Sequence, residues 1–148
     1  VRKWRNDPLA LPSLRTKEPL TEAQQESFFV NVVSVSGRHK YYSLYLSDEF
    51  VGFGGLTFLG RVPGEGEISL IVNPSFRSHG LGLAAVTALL VRAFDVIRLS
   101  TVIGECYNVE GGSILFWQKV IHSLQDLYSC SGVWTRDAFC WAWRKEEA

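Results

Sequence analysis

Ser69-Leu70-Ile71-Val72-Asn73-Pro74-Ser75-Phe76-Arg77-Ser78-His79-Gly80-Leu81-Gly82 decides how this chain folds. The run Glu67 to Val72 is nearly all apolar at its end, which predicts a central, buried strand. Asn73-Pro74 breaks it, because proline fixes φ and donates no hydrogen bond. Leu81 to Phe94 then reads as a helix, apolar on most sides and so packed deeply against a sheet. The start of that helix presents unpaired N–H groups and the positive end of the helix dipole. Gly80 and Gly82 carry no Cβ, so an anion can approach the main chain. Arg77, Ser78, His79, Gly80, Leu81 and Gly82 thus form a candidate phosphate cradle made of backbone.

The pattern Arg-x-x-Gly-x-Gly is weak alone, since about one chain in seven of this length carries such a match by accident. Its position between a buried strand and an apolar helix gives it weight. No Gly-Lys-Ser/Thr follows, so it is not a Walker loop. The Gly-x-Gly-x-x-Gly spacing of a dinucleotide fold is also lacking.

Outward from this stretch the chain alternates. Residues 1–20 hold Pro8, Pro12 and Pro19 and read as irregular. Thr21-Glu22-Ala23-Gln24 is a capping signature, and the helix it opens is predicted to reach about Val33, with Phe28, Phe29 and Val32 on one face. Tyr41–Leu46 and Phe50–Leu59 form a predicted hairpin around Ser47-Asp48-Glu49. Gly52, Gly54 and Gly55 within it suggest a bulge or a close backbone approach. Arg98–Cys106 is a fourth strand and Ser113–His122 a second buried helix. Leu124–Cys130 and Asp137–Arg144 are the last strands. The order predicts one α/β domain over residues 1–148, a mixed sheet with helices on both faces.

Composition narrows the function. The 148 residues are 47% apolar with 9 Phe, 5 Tyr and 5 Trp, enough to build a core rather than a disordered chain. Fifteen basic residues balance fifteen acidic ones, leaving no electrostatic footprint for nucleic acid. No apolar run reaches the roughly 20 residues of a membrane helix, and the N-terminal residues do not form a signal peptide. Cys106, Cys130 and Cys140 match no metal or redox spacing, which predicts free thiols, no metal, and a cytoplasmic location.

The strand-loop-helix resembles the GNAT N-acetyltransferase superfamily, whose Leu-x-Val-x-Pro-x-x-Arg-x-x-Gly-x-Gly binds acetyl-CoA. Trp4-Arg5-Asn6-Asp7-Pro8 is similar to a segment of the branch containing ribosomal-protein and amino-sugar acetyltransferases. Phe50–Gly55 and Ser113–Lys119 resemble a further strand and helix of the family. The resemblance implies acetyl-CoA as cosubstrate and direct transfer to the primary amine of an amino sugar, a small amine or a protein. It implies that the Leu70 N–H bonds the thioester carbonyl, that Ile71 and Val72 line the pantetheine arm, and that Arg77–Gly82 hold the pyrophosphate. The sheet would splay beside the strand Glu67–Val72. The family's opening strand and helix have no counterpart before Trp4. The family's CoA-binding Asn falls on Glu110, with Asn108 two residues early. Its general-acid Tyr falls on Trp117, which places an indole by the cofactor.

Several residues keep two readings. Glu67 is a general base or a solvated carboxylate at a strand start, and Glu105 faces the same choice. Tyr107 is a proton donor to the thiolate or a buried strand-end tyrosine. His79 touches phosphate or solvent. Trp141 and Trp143 belong to the core or to an oligomer contact, which leaves a homodimer open. The competing function is an acyl-CoA-binding or scaffold module that has lost turnover.

Overall fold

The computed structural model describes residues 1–35, 37–77, 79–108 and 111–146. A short helix α1 (Arg2–Arg5) and a 3-10 turn (Leu11–Ser13) precede α2 (Glu22–Phe28). The expected capping box closes α2: the Gln24 N–H donates to Thr21 Oγ1, and the Thr21 N–H donates to Gln24 Oε1. The helix then widens into a π-helical turn over Phe29–Val33, where the Ser34 N–H reaches back to Phe29 O. The widening turns Phe29 to solvent, 57% exposed, while Phe28 stays on the packed face.

Six strands form one mixed sheet in the order β1-β2-β3-β4-β6-β5. They are β1 (Lys40–Leu46), β2 (Glu49–Thr57), β3 (Glu65–Val72), β4 (Thr101–Cys106), β5 (Ser129–Trp134) and β6 (Phe139–Arg144). Among the described residues only β3 and β4 run parallel; between them in sequence lie α3 (Leu81–Val91) and its π-helical continuation Arg92–Val96. Helix α4 (Gly112–Ser123) follows β4.

The hairpin bulge lies between Leu44 and Tyr45, opposite the stretch Phe50–Gly52. Gly54 and Gly55 serve close approach instead. A Cβ on Gly54 would stand 2.9 Å from Leu89 of α3, and one on Gly55 would meet the Tyr41 ring at 2.8 Å. Helices therefore cover both faces. Leu56, Ile68 and Val102 are buried together with Val86 and Leu90 of α3. On the other face Tyr41 stacks on Phe53, and Phe28 of α2 meets Tyr41 edge-on.

Four expected boundaries move. β4 begins at Thr101 rather than Arg98, because Arg98 is left-handed at φ 66° and the Ser100 N–H is spent on Gly64 O. The first of the two final strands begins at Ser129 rather than Leu124. Leu124 instead ends α4, its N–H bonded to Val120 O, and both Leu124 and Tyr128 are buried as part of that turn. Leu124 and Tyr128 stand four apart, the spacing of one helical face, which a short stretch of sequence does not distinguish from a strand. The last strand begins at Phe139 rather than Asp137, and the helix expected to reach Phe94 is α-helical only to Val91. Trp141 and Trp143 face the core, 3% and 0% exposed.

Candidate active site

The ladder between β3 and β4 contains only Glu65↔Thr101, Gly66↔Val102 and Glu67↔Ile103. Beyond Glu67 the strands part, although β3 runs on to Val72 and β4 to Cys106. Peptide groups alternate sides along a strand. The Asn73 N–H donates to Val51 O of β2 at 2.8 Å, and Phe53↔Ile71 and Gly55↔Ser69 pair on that same side. The main-chain groups of Leu70 and Val72 therefore point away from β2, into the cleft that β4 has left. The Ile71 peptide group belongs to the β2 ladder, and its neighbours on either side offer backbone to the cleft.

A 3-10 turn, Pro74–Phe76, carries the chain from β3 to α3. Gly80 caps α3 with φ 75°, a left-handed conformation that favours glycine, and a Cβ there would meet nothing within 4 Å. The first turn of α3, with Leu81 and Gly82, thus opens on free space with its N–H groups unpaired in the helix.

Gly82 has a different role from the one expected. Its Cβ would lie 2.5 Å from Phe116 Cε2 of α4, so the missing side chain lets two helices meet. The Arg77 side chain has a partner within the chain. Its Nη1 donates to Asp7 Oδ2 at 2.8 Å, so the guanidinium staples the loop to the segment after α1. The Leu9 N–H and Arg77 together hold the Asp7 carboxyl below the usual range. His79 is exposed, its Nδ1 2.8 Å from Arg77 O. Ser78 and Glu110 lie outside the described residues.

Where the strands part, four side chains meet. Arg15 Nη2 donates to Glu67 Oε1 and to Glu105 Oε2, both at 2.8 Å. The Tyr107 hydroxyl donates to the same Glu105 oxygen at 2.8 Å. Arg61 Nη2 stands 4.0 Å from Glu67 Oε2 and lies over the Phe58 ring. Burial pushes the Glu105 carboxyl up, but hydrogen bonds from Arg15 and Tyr107 outweigh it, and the group is held below its ordinary value. Arg15 pulls the Tyr107 phenol down, while the Glu105 carboxylate and burial prevail and raise it. Glu67, Glu105 and Tyr107 thus form one cluster. Arg15, which no motif singles out, holds it together across 52 and 90 residues of sequence.

Two further expected residues lie toward α4. The Gly111 N–H donates to Asn108 O, and the Asn108 side chain packs so closely on Gly111 that a Cβ there would collide with it. Trp117 packs 4.8 Å from Trp141 and 5.0 Å from Phe116. It is half-buried in an aromatic layer that covers the β6 side of the cleft. Among the described residues no group of His, Cys, Asp and Glu is placed to hold a metal ion.

The family model for the acetyltransferase (GNAT) domain matches residues 1–120. A search of the curated proteins returns no significant match. Solved structures share the fold at low identity. Spermidine N-acetyltransferase from Vibrio cholerae, in complex with CoA and spermine, superposes with a TM-score of 0.73 at 11% identity, covering 97% of this chain and 87% of that one. Aminoglycoside acetyltransferase AAC(6′)-Ib, with ribostamycin and coenzyme A, gives 0.73 at 17% identity, covering 97% and 85%. Campylobacter jejuni N-acetyltransferase PseH, in complex with acetyl coenzyme A, gives 0.66 at 13% identity, covering 84% and 81%. Parted parallel strands leading through a left-handed glycine into an open helix start, and a family match over most of the chain, have one reading: this is an acetyltransferase domain of the GNAT family.

Proposed function

We propose that the chain transfers the acetyl group of acetyl-CoA directly to a primary amine. The observation that carries this is the cleft itself: the Leu70 and Val72 main chain faces a gap in the sheet, and that gap lies one short turn from the open N-terminus of α3. The donors present suit the cosubstrate. The α3 start at Gly80, Leu81 and Gly82 offers N–H groups to a pyrophosphate, with His79 just before it in the chain. Val72 offers main-chain groups to the pantetheine amides, and the Leu70 N–H is the donor for the thioester oxygen. Trp117 closes the apolar wall by shape, since an indole cannot act as an acid near neutrality. Asn108, between β4 and α4, is a further cofactor contact on this reading. The solved relatives above that hold CoA or acetyl-CoA support this assignment.

In the reaction the neutral amine nitrogen attacks the thioester carbon, the carbon–sulfur bond breaks, and the amine loses a proton. Glu67 receives that proton, directly or through water. The thiolate takes its proton from water or from Tyr107, whose phenol stays protonated near neutrality. The acceptor is an amino sugar, a small amine or a protein amine. The branch segment Trp4–Pro8 favours the amino-sugar and ribosomal-protein type, and the balanced charge disfavours a strongly cationic polyamine. Residues 1–148 act as one domain, and the three free thiols suit a reducing cytoplasm.

The second reading is a CoA-binding module without turnover, favoured by the hold of Arg15 on Glu67 and by tryptophan in place of a phenolic acid. Thiol release from acetyl-CoA with a panel of amines, beside calorimetry of CoA binding, separates them. Amine-dependent thiol release is expected, falling about 10²–10⁴-fold in Glu67→Gln. CoA binding without release would favour the module, and no CoA binding would defeat both.

A further inference from the structure

Arg15 belongs to neither half of the cofactor cradle, yet it touches both parted strands. Its main chain is held on either side. The Tyr107 N–H donates to Ser13 O at 3.2 Å, and the Arg5 guanidinium donates to Thr16 O at 3.0 Å and Glu18 O at 3.2 Å. The side chain is therefore delivered from a fixed backbone. A single nitrogen, Nη2, serves carboxylates from β3 and β4. Glu67 sits at the last rung of the parallel ladder, and Glu105 lies two residues past Ile103, on the strand that has turned away. The contact is thus a bridge across the mouth of the cleft. The second Glu67 oxygen, Oε2, is buried with no hydrogen-bond partner among the described residues.

The charges around this bridge are few. Arg61 reaches toward Glu67 from the β2–β3 loop, and Tyr107 binds Glu105 from its own strand. Tyr41 on β1 faces Glu67, with its phenol raised by burial and by that charge. Cys140 on β6 pairs across from Glu105, with its thiol raised by burial and by the same carboxylate. His39 stacks on Tyr41 and accepts the Phe58 N–H through Nδ1. Tyr41 and Cys140 stay neutral near neutrality, so neither replaces a cation between the carboxylates. Two carboxylates that share one cationic donor repel each other more strongly once that donor's charge is removed, which favours protonation of one of them at a higher pH.

We infer that Arg15 is a positioning residue: it clasps Glu67 to Glu105 across the cleft mouth, leaving the Glu67 oxygen that has no hydrogen bond as the proton acceptor. The last clause rests on the transfer reading, and the clasp does not. Without Arg15 the two carboxylates would face each other across the cleft mouth with Arg61 as the nearby cation, and the Glu105 carboxyl would lose a hydrogen bond that holds it low.

The test uses the full chain with ¹³C-labelled glutamate, titrated by NMR without substrate, beside pH profiles of kcat/KM. In Arg15→Gln, Glu105 should titrate at least about one unit higher than in the wild type. The acid limb of the rate profile should rise with it, and Arg15→Lys should restore most of both. A loss of activity equal at every pH, with Glu105 unmoved, would overturn the clasp and leave Arg15 a scaffold residue. If Arg15→Gln does not fold, Glu67→Gln asks the same question. Removing one of two like charges must lower the Glu105 titration, and an unmoved Glu105 would overturn the pairing. A moved titration in a protein that acetylates no amine would sustain the clasp and defeat the transfer reading instead.

Discussion

Gly82→Ala separates packing from ligand binding within the glycine motif. The new methyl carbon would stand 2.5 Å from Phe116 Cε2 and 2.8 Å from Cζ. Unstrained carbon contacts lie at roughly 3.5–4.0 Å, so the ring or the helix must give by about 1 Å. Overpacking of that kind costs about 1–3 kcal/mol. Alanine returns at most ~1 kcal/mol through helix propensity, and less in the first turn of a helix. The net effect is a loss of about 0.5–2 kcal/mol, or a Tm drop of about 2–6 °C for a chain of this length. Urea unfolding of four proteins, with no CoA present, measures it: wild type, Gly82→Ala, Phe116→Ala and the double variant. With the ring gone, Gly82→Ala should become neutral or mildly stabilising, giving a coupling of about 1–2 kcal/mol. An equal penalty in both backgrounds would refute the packing assignment, as would a Gly82→Ala protein as stable as the wild type. In this scheme a weakened CoA affinity at Gly82 reports a shifted helix, whereas Gly80, with open space around it and φ 75°, reports the cradle itself.

Glu105 should make the protein acid-sensitive. Its carboxyl is held below the ordinary value, so the unfolded chain takes up the proton first as pH falls. The stabilisation is whole above the ordinary glutamate pKa of about 4.3 and is lost as pH falls from there through the lower folded value. Glu105→Gln should therefore flatten the decline of stability in that window, measured by urea midpoints from pH 6 to 3; an unchanged slope would count against the hydrogen bonds described. Trp117→Phe should change KM modestly and leave the basic limb of the rate profile in place. A kcat loss above about a hundredfold with normal CoA binding would give the indole a chemical part beyond general acid catalysis.

What the sequence disclosed follows from how local each feature is. The capping box at Thr21 and the break at Asn73-Pro74 are short-range chemistry, and both stand where the spacing put them. The left-handed turn at Gly80 is equally local. The role of Gly82 is not, because the atom that forbids a side chain there belongs to Phe116, 34 positions further on in another helix. A glycine motif reports that a Cβ is unwelcome and is silent about whether a ligand or a ring is in the way. The arginine of the same motif shows the point again: its partner, Asp7, comes from the far end of the sheet's N-terminal approach.

Arg15 is the extreme case. It sits in the irregular stretch between Pro12 and Pro19, with no periodicity and no spacing to mark it. Its importance comes from topology alone. The crossover through α3 sets β4 parallel to β3, the ladder ends after three pairs, and two glutamates are left on strands that no longer share hydrogen bonds. Two like charges at a widening gap call for a cation that arrives from outside the sheet, and the N-terminal segment, held by Arg5 and by the Tyr107 amide, brings one there beside Arg61 of the β2–β3 loop. The splay that makes room for a ligand is therefore also what makes an otherwise featureless arginine necessary.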